Sequence, residues 1–116
     1  MKRRDAAIAL GQVLIDHKGE KVMVLDVSGS NTWADYFIIA TVTSSAHSRG
    51  LQKHVFESLK ELSLEIRPTK RKMPDGDEWM LIDLGDVVVH LMTETARGFY
   101  DLEKLWFNAK ELLTGN

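Results

Sequence analysis

The chain contains no cysteine, which removes disulfide staples as a source of stability and a thiolate as a nucleophile. That absence suits a reducing compartment. Long hydrophobic runs are missing too. The longest strictly apolar stretches reach four to five residues, against about 20 for a membrane-spanning helix. Met1-Lys2-Arg3-Arg4 ahead of Ala6–Leu10 has the flavour of a secretion signal. However, the apolar stretch gives way to Gly11-Gln12 and runs on to Asp16-His17-Lys18 without a small-residue cleavage site. A cytoplasmic protein is expected. Neither sign of charge dominates: 15 basic and 17 acidic residues leave a formal net charge of −2. Proteins that hold nucleic acid mainly through phosphates are usually basic, so any such contact here should be local. There are no repeats, low-complexity tracts or linkers.

What is present is one domain's worth of sequence, residues 1–116, 44% of it hydrophobic. A domain of this size buries somewhat over ~60% of its unfolded surface and folds without staples. Ala6, Leu10, Val13, Leu14 and His17 recur at helical spacing, with Gly19 as the stop. Val22–Val27 reads as a buried strand, Ser28–Asn31 as a loop, and Tyr36–Val42 as a second buried strand. Ser44 or Ser45 caps a helix whose apolar face is Leu51, Val55, Leu59 and Leu62, with Gly50 a mild defect in it. A short strand is expected at Leu64–Arg67, then a loop, Pro68–Gly76. Trp79–Leu84 and Val87–Met92, joined by Gly85-Asp86, form an antiparallel hairpin. Asp101 should cap a last helix with Leu102, Leu105, Trp106, Ala109, Leu112 and Leu113 as its buried stripe. The element order implies an α/β (α+β) fold: a mixed sheet of about five strands with flanking helices.

Three stretches carry a resemblance: Leu25-Asp26-Val27-Ser28; Asp35–Thr41 with Thr43-Ser44-Ser45; and Trp79–Met92 followed by Arg97–Trp106. Together they are similar to the signature of the Iojap/RsfS family of ribosomal silencing factors, from the first helix to Trp106. Two departures stand out. Val42 replaces a glycine common in the family, and Lys70-Arg71-Lys72 with Pro74-Asp75-Gly76 replaces a Glu-Gly pair. The resemblance implies a nucleotidyltransferase-like fold without that superfamily's catalytic set. It implies binding to ribosomal protein L-fourteen on the large subunit, which sterically blocks joining of the small subunit and represses translation under nutrient limitation. Organelle relatives act in large-subunit assembly. No cofactor, metal or small-molecule substrate is implied.

Trp79, Leu81 and Asp83 share one strand face, and Met80, Ile82 and Leu84 the other. Read from the strand alone, Trp79 is a core filler; the resemblance makes it the anchor for the ribosomal partner, where a rigid aromatic contributes most. Asp83 and Asp86 fit either a complement to basic partner groups or, for Asp86, a turn residue and, for Asp83, a solvated strand position. Arg97 and Tyr100 extend the partner-binding surface. Lys70, Arg71 and Lys72 form a local basic cluster, a solvated loop by default and a ribosomal RNA contact in the sharper reading.

An enzymatic alternative rests on Gly29-Ser30 followed by Asp35, a faint likeness to a nucleotidyltransferase element that holds magnesium on paired carboxylates. Tyr36-Phe37 follows Asp35, so the second carboxylate is missing and Asp26 and Asp83 would have to complete the site. There is no Walker-type phosphate loop and no serine elbow. His47 and His54 lie two turns apart on one helix, about 10 Å along its axis, too far for one metal without other ligands. His90, in an apolar strand, reads as a hydrogen-bonded structural group. Self-association as a homodimer through an exposed sheet edge is a third reading, leaving the free protein a monomer or homodimer.

Overall fold

A computed structural model of the chain describes residues 2–29, 34–67, 79–100 and 109–115, the side chains of Phe99 and Tyr100 excepted. Its elements run α1 (Arg3–Asp16), β1 (Glu20–Asp26), β2 (Tyr36–Val42), α2 (Ser45–Ser58), β3 (Trp79–Asp83), β4 (Val87–Thr93), α3 (Glu94–Tyr100) and β5 (Lys110–Gly115). The strands form one mixed sheet in the order β3-β4-β2-β1-β5. The central pair, β2 and β4, is parallel, and every other pairing is antiparallel.

Both faces of that sheet are covered in its middle, which is why β2 and β4 are near-continuous apolar runs. On one face α1 and α2 supply Ala6, Leu10, Leu14, Leu51, Val55 and Leu59, packed against Val24, Ile38, Ala40, Val89 and Leu91. On the other, Leu25, Phe37, Ile39, Val88 and Met92 form a smaller cluster closed by Ala96 of α3. Two helix ends have a clear local cause. Ser44 accepts the His47 N–H at 3.0 Å and caps α2. At the end of α1 Lys18 turns left-handed (φ 72°), letting the Gly19 N–H reach the Leu14 carbonyl at 2.7 Å. In the hairpin, Gly85 at φ +88° takes the first central position of the two-residue turn, a conformation that L side chains rarely adopt.

Three expectations are corrected. Leu64–Arg67 is not a strand: its one tie to the sheet is the Arg67 N–H donating to the Asp83 carbonyl at 2.8 Å, and no ladder follows. The stretch after β4, expected to be a connection, is α3, because Thr93 Oγ1 accepts the Ala96 N–H at 3.2 Å and starts a helix directly. Ala109, Leu112 and Leu113 do not belong to a helical stripe. Leu112 and Leu113 lie in β5, an edge strand paired with β1, and Ala109 directly precedes it. The expected cap Asp101 and its companions Leu102, Leu105 and Trp106 lie outside the described residues. Among the described residues no helix is long and apolar enough to cross a membrane.

Candidate functional site: the Trp79 edge of the sheet

The β3–β4 register sets Trp79 opposite Met92, Leu81 opposite His90 and Asp83 opposite Val88. Cross-strand partners share a face, so Trp79, Leu81 and Asp83 project on the same side as the smaller core cluster, as their alternation requires. There Trp79 and Leu81 are half-buried, packed against that cluster at the rim of the sheet. Met80 and Ile82 turn to the helix-covered face. Part of the Trp79 ring thus supports the core, and part remains open at an edge strand.

The ring is held by a polar contact. Trp79 Nε1 donates to Nδ1 of the buried His90 at 3.1 Å, diagonally across the strand pair. The imidazole in turn meets the Phe37 ring edge-on, 4.7 Å between centroids. With Nδ1 accepting, the neutral imidazole carries its proton on Nε2. His90 is thus the hydrogen-bonded structural group that its apolar setting suggested, and it fixes the rotamer of the candidate anchor.

The other sequence candidates are not all brought to this place. Asp83 stands at the far end of β3, about 13 Å from Trp79 along the strand, and its Oδ1 accepts the Gly85 N–H at 2.9 Å, steadying the turn. Asp86 is exposed and faces Arg3 of α1, with Nε 3.8 Å from its Oδ2, while its carbonyl accepts the Asp35 and Tyr36 N–H groups. Arg97 is buried, 7% exposed. Its Nη1 donates to the Lys21 carbonyl at 2.7 Å and to Thr41 Oγ1 at 2.9 Å. Lys21 sits at φ 47° in a bulge of β1, where its Nζ also pairs with Glu94 at 2.8 Å. Arg97 and Glu94 therefore clamp α3 onto that bulge. Tyr100 ends α3, and its side chain lies outside those described, as do Lys70, Arg71 and Lys72.

The carboxylates of the enzymatic alternative are engaged locally. Asp26 accepts from both the Ser28 hydroxyl (2.6 Å) and the Ser28 N–H (3.0 Å), and those bonds hold its carboxyl below the usual carboxylate range. Asp83 and Asp35 belong to β3 and to the start of β2, with β4 lying between those strands, and among the described residues no three histidines or carboxylates are grouped as a metal would need. The helical histidines tie α1 to α2. His47 Nδ1 accepts the Thr43 N–H at 2.9 Å and its Nε2 lies 3.0 Å from the Lys18 carbonyl. His54 stacks on His17 with 3.6 Å between ring centroids. The residues that sequence reasoning passed over are Lys21, Thr41 and Glu94; none carries a local signal, because the bulge that unites them is a tertiary feature.

Comparison with known proteins agrees with this geometry. Residues 1–115 match the family model described as "Ribosomal silencing factor during starvation". The chain is 38% identical over 107 residues to the ribosomal silencing factor RsfS of Treponema pallidum, covering 91% of this chain and 94% of that one. It is 32% identical over 98 residues to the mouse protein named "Mitochondrial assembly of ribosomal large subunit protein 1", covering 84% of this chain and 43% of the mouse protein. A crystal structure of a Chromobacterium violaceum protein superposes with a TM-score of 0.80 at 33% identity, covering 92% of this chain and 88% of that chain. On the family match and on its relatives, the chain belongs to the RsfS family of ribosomal silencing factors.

Proposed function

We propose that this chain is a non-catalytic, cytoplasmic regulator that binds the large ribosomal subunit through ribosomal protein L-fourteen and sterically blocks joining of the small subunit when nutrients are scarce. The observation that carries the reading is the Trp79 edge, within a chain of the RsfS family. A large aromatic, half-open on an edge strand and locked by His90, is the arrangement expected of an interface anchor. Leu81 beside it adds apolar area, and Asp83 with the exposed Asp86 offers negative charge near the turn for register and encounter rate. Tyr100 and the Lys70-Arg71-Lys72 loop belong to the same proposal as a flanking contact and a minor ribosomal RNA contact. Arg97, being buried, contributes by positioning α3.

The proposal extends to a nucleotidyltransferase-like frame stripped of its paired carboxylates. Asp26 bound to Ser28 and Asp35 followed by Tyr36-Phe37 support that reading. A role in large-subunit assembly is the second reading, favoured by the name of the mouse relative. Co-sedimentation with isolated subunits tests the core claim. The wild-type chain should pellet with large and not small subunits, and Trp79→Ala should weaken that binding by at least ~2 kcal/mol with an unchanged circular dichroism spectrum. Undiminished affinity in the folded variant removes Trp79 as anchor, and pelleting with neither subunit refutes the function.

A further inference from the structure

On the other face of the sheet from Trp79, helix α2 presents a surface to which the proposed function assigns no contact. Leu51, Val55 and Leu59 turn its inner side to the core, and Ser48 is buried with them. Arg49, Lys53, Phe56 and Lys60 are all exposed. At 100° per residue these positions, with Lys60 two residues past the end of α2, fall within an arc of about 60° on an exposed flank of the helix. The three cations stand roughly 6 and 10 Å apart along the axis. Among the described residues none of them is in an ion pair, whereas Lys21 is held by Glu94 and Arg3 by Asp86. Glu57, at the flank of the stripe, is turned to His54, 3.5 Å away. Within that arc the charges are of one sign, while the exposed Glu57, Glu61 and Glu65 border it.

The stripe also has an aromatic. Among the described residues Phe56 (45% exposed) and Ile66 are the large apolar side chains that stand open to solvent. Phe56 forms one wall of an open hollow completed by Leu59, Lys60, Ser63, Leu64 and Glu65. A flat apolar wall beside unpaired cations at repeated spacing fits a polyanion that carries planar rings. Successive phosphates meet the cations, and an unstacked base lies against the ring. A peptide of acidic residues alone would meet the charges but gain nothing from Phe56.

The geometry points to the outer face of α2, formed by Arg49, Lys53, Phe56 and Lys60, as a docking surface for a single-stranded or looped segment of RNA. The inference rests on the proposed large-subunit role for its biological partner, though not for its test. It assigns the protein a second contact, independent of the Trp79 edge, through which RNA next to the protein target fixes the orientation of the bound factor.

The test titrates the full chain into a fluorescein-labelled 12-nucleotide RNA by anisotropy at several salt concentrations, and in parallel into isolated large subunits. Replacing Arg49, Lys53 and Lys60 together by Ala should lower the magnitude of the RNA salt slope by about 2, since each single-strand phosphate contact contributes ~0.7. Phe56→Leu should keep the slope but weaken RNA binding about fivefold or more, the loss expected for one stacked base. Trp79→Ala should leave RNA binding as it is while subunit binding falls. A wild-type chain that does not bind the oligonucleotide, a slope unchanged in the triple variant, or a polyglutamate peptide bound as tightly as RNA each overturns the inference. RNA binding by this surface without any subunit binding would uphold it and refute the proposed function instead.

Discussion

Removing the guanidinium of Arg97 would leave the Lys21 carbonyl and the Thr41 hydroxyl without their buried donor. A hydrogen bond from a charged group contributes more than a neutral one, and the abandoned acceptors carry their own desolvation cost. Arg97→Ala is therefore expected to cost about 2–3 kcal/mol in urea unfolding, and Arg97→Lys should recover at most part of it, since one ammonium lacks the planar fork. A loss under ~0.5 kcal/mol would show that α3 is held by packing alone. Asp26 makes a prediction about pH. Its carboxyl is held low chiefly by the Ser28 hydroxyl and then by the Ser28 N–H. A depressed carboxylate stabilises the fold above its unfolded value, 3.8, and that contribution disappears as pH falls through the folded value. Ser28→Ala should then be less stable than wild type at pH 7 by about 0.5–1 kcal/mol, the worth of an ordinary, largely solvated hydrogen bond. The difference should close as the pH is lowered below ~4. A gap that stays constant with pH would mean that the hydroxyl acts on the turn and not on the charge.

At the scale of elements, two glycines in helices behave oppositely. Gly11 lies where α1 crosses β1, and a Cβ there would run into Val24 Cγ2, a branched side chain with no room to turn. Gly11→Ala should destabilise by about 1–3 kcal/mol through overpacking. Gly50 of α2 faces open space, so Gly50→Ala should stabilise by about 0.5–1 kcal/mol through helix propensity. Thermal unfolding of both variants decides the matter: if the two shift in the same direction, the packing assignment of α1 is wrong. The same elements show what was legible beforehand. α1, α2 and the hairpin were readable because each carries its own period: Leu10 and Leu14, Leu51 and Val55, the alternation of Trp79, Leu81 and Asp83; β1 and β2 were readable as short apolar, β-branched runs. β5 was not. Between Val24 and Leu25 its register slips by one residue, so Leu113 faces Val24 and Glu111 faces Leu25. The extra residue lets the adjacent Leu112 and Leu113 both reach the main core, which erases the alternation and leaves a spacing that looks helical. α3 was hidden because its cap is Thr93, the last residue of a strand. For the site, Trp79 and Leu81 were legible from parity, whereas the inward turn of Arg97 depends on a bulge 76 residues away.

For the molecule as a whole, the sheet separates the two proposed binding surfaces. The Trp79 edge belongs to the side closed by α3, and the basic stripe to the outside of the helix layer. A sheet with a packed helix between them puts the two more than ~10 Å apart, and no described side chain bridges them. Losses in large-subunit affinity from Trp79→Ala and from the triple replacement of Arg49, Lys53 and Lys60 should therefore add to within about 0.5 kcal/mol. A marked shortfall in the combined variant would mean that the surfaces communicate or meet one continuous partner. With a net charge of −2, the chain has no general attraction to RNA, so each surface must work by local fit.

The pairing of β5 with β1 has a consequence for how the protein is made. Strand β1 is synthesised well before its outer neighbour, β5. While the polypeptide emerges, β1 offers a bare row of amide and carbonyl groups to anything nearby. Closing that edge requires joining strands far apart in the sequence, a slow search for an unstructured chain. The nascent chain of a protein whose family is named for the ribosome must therefore complete its sheet only after β5 has left one.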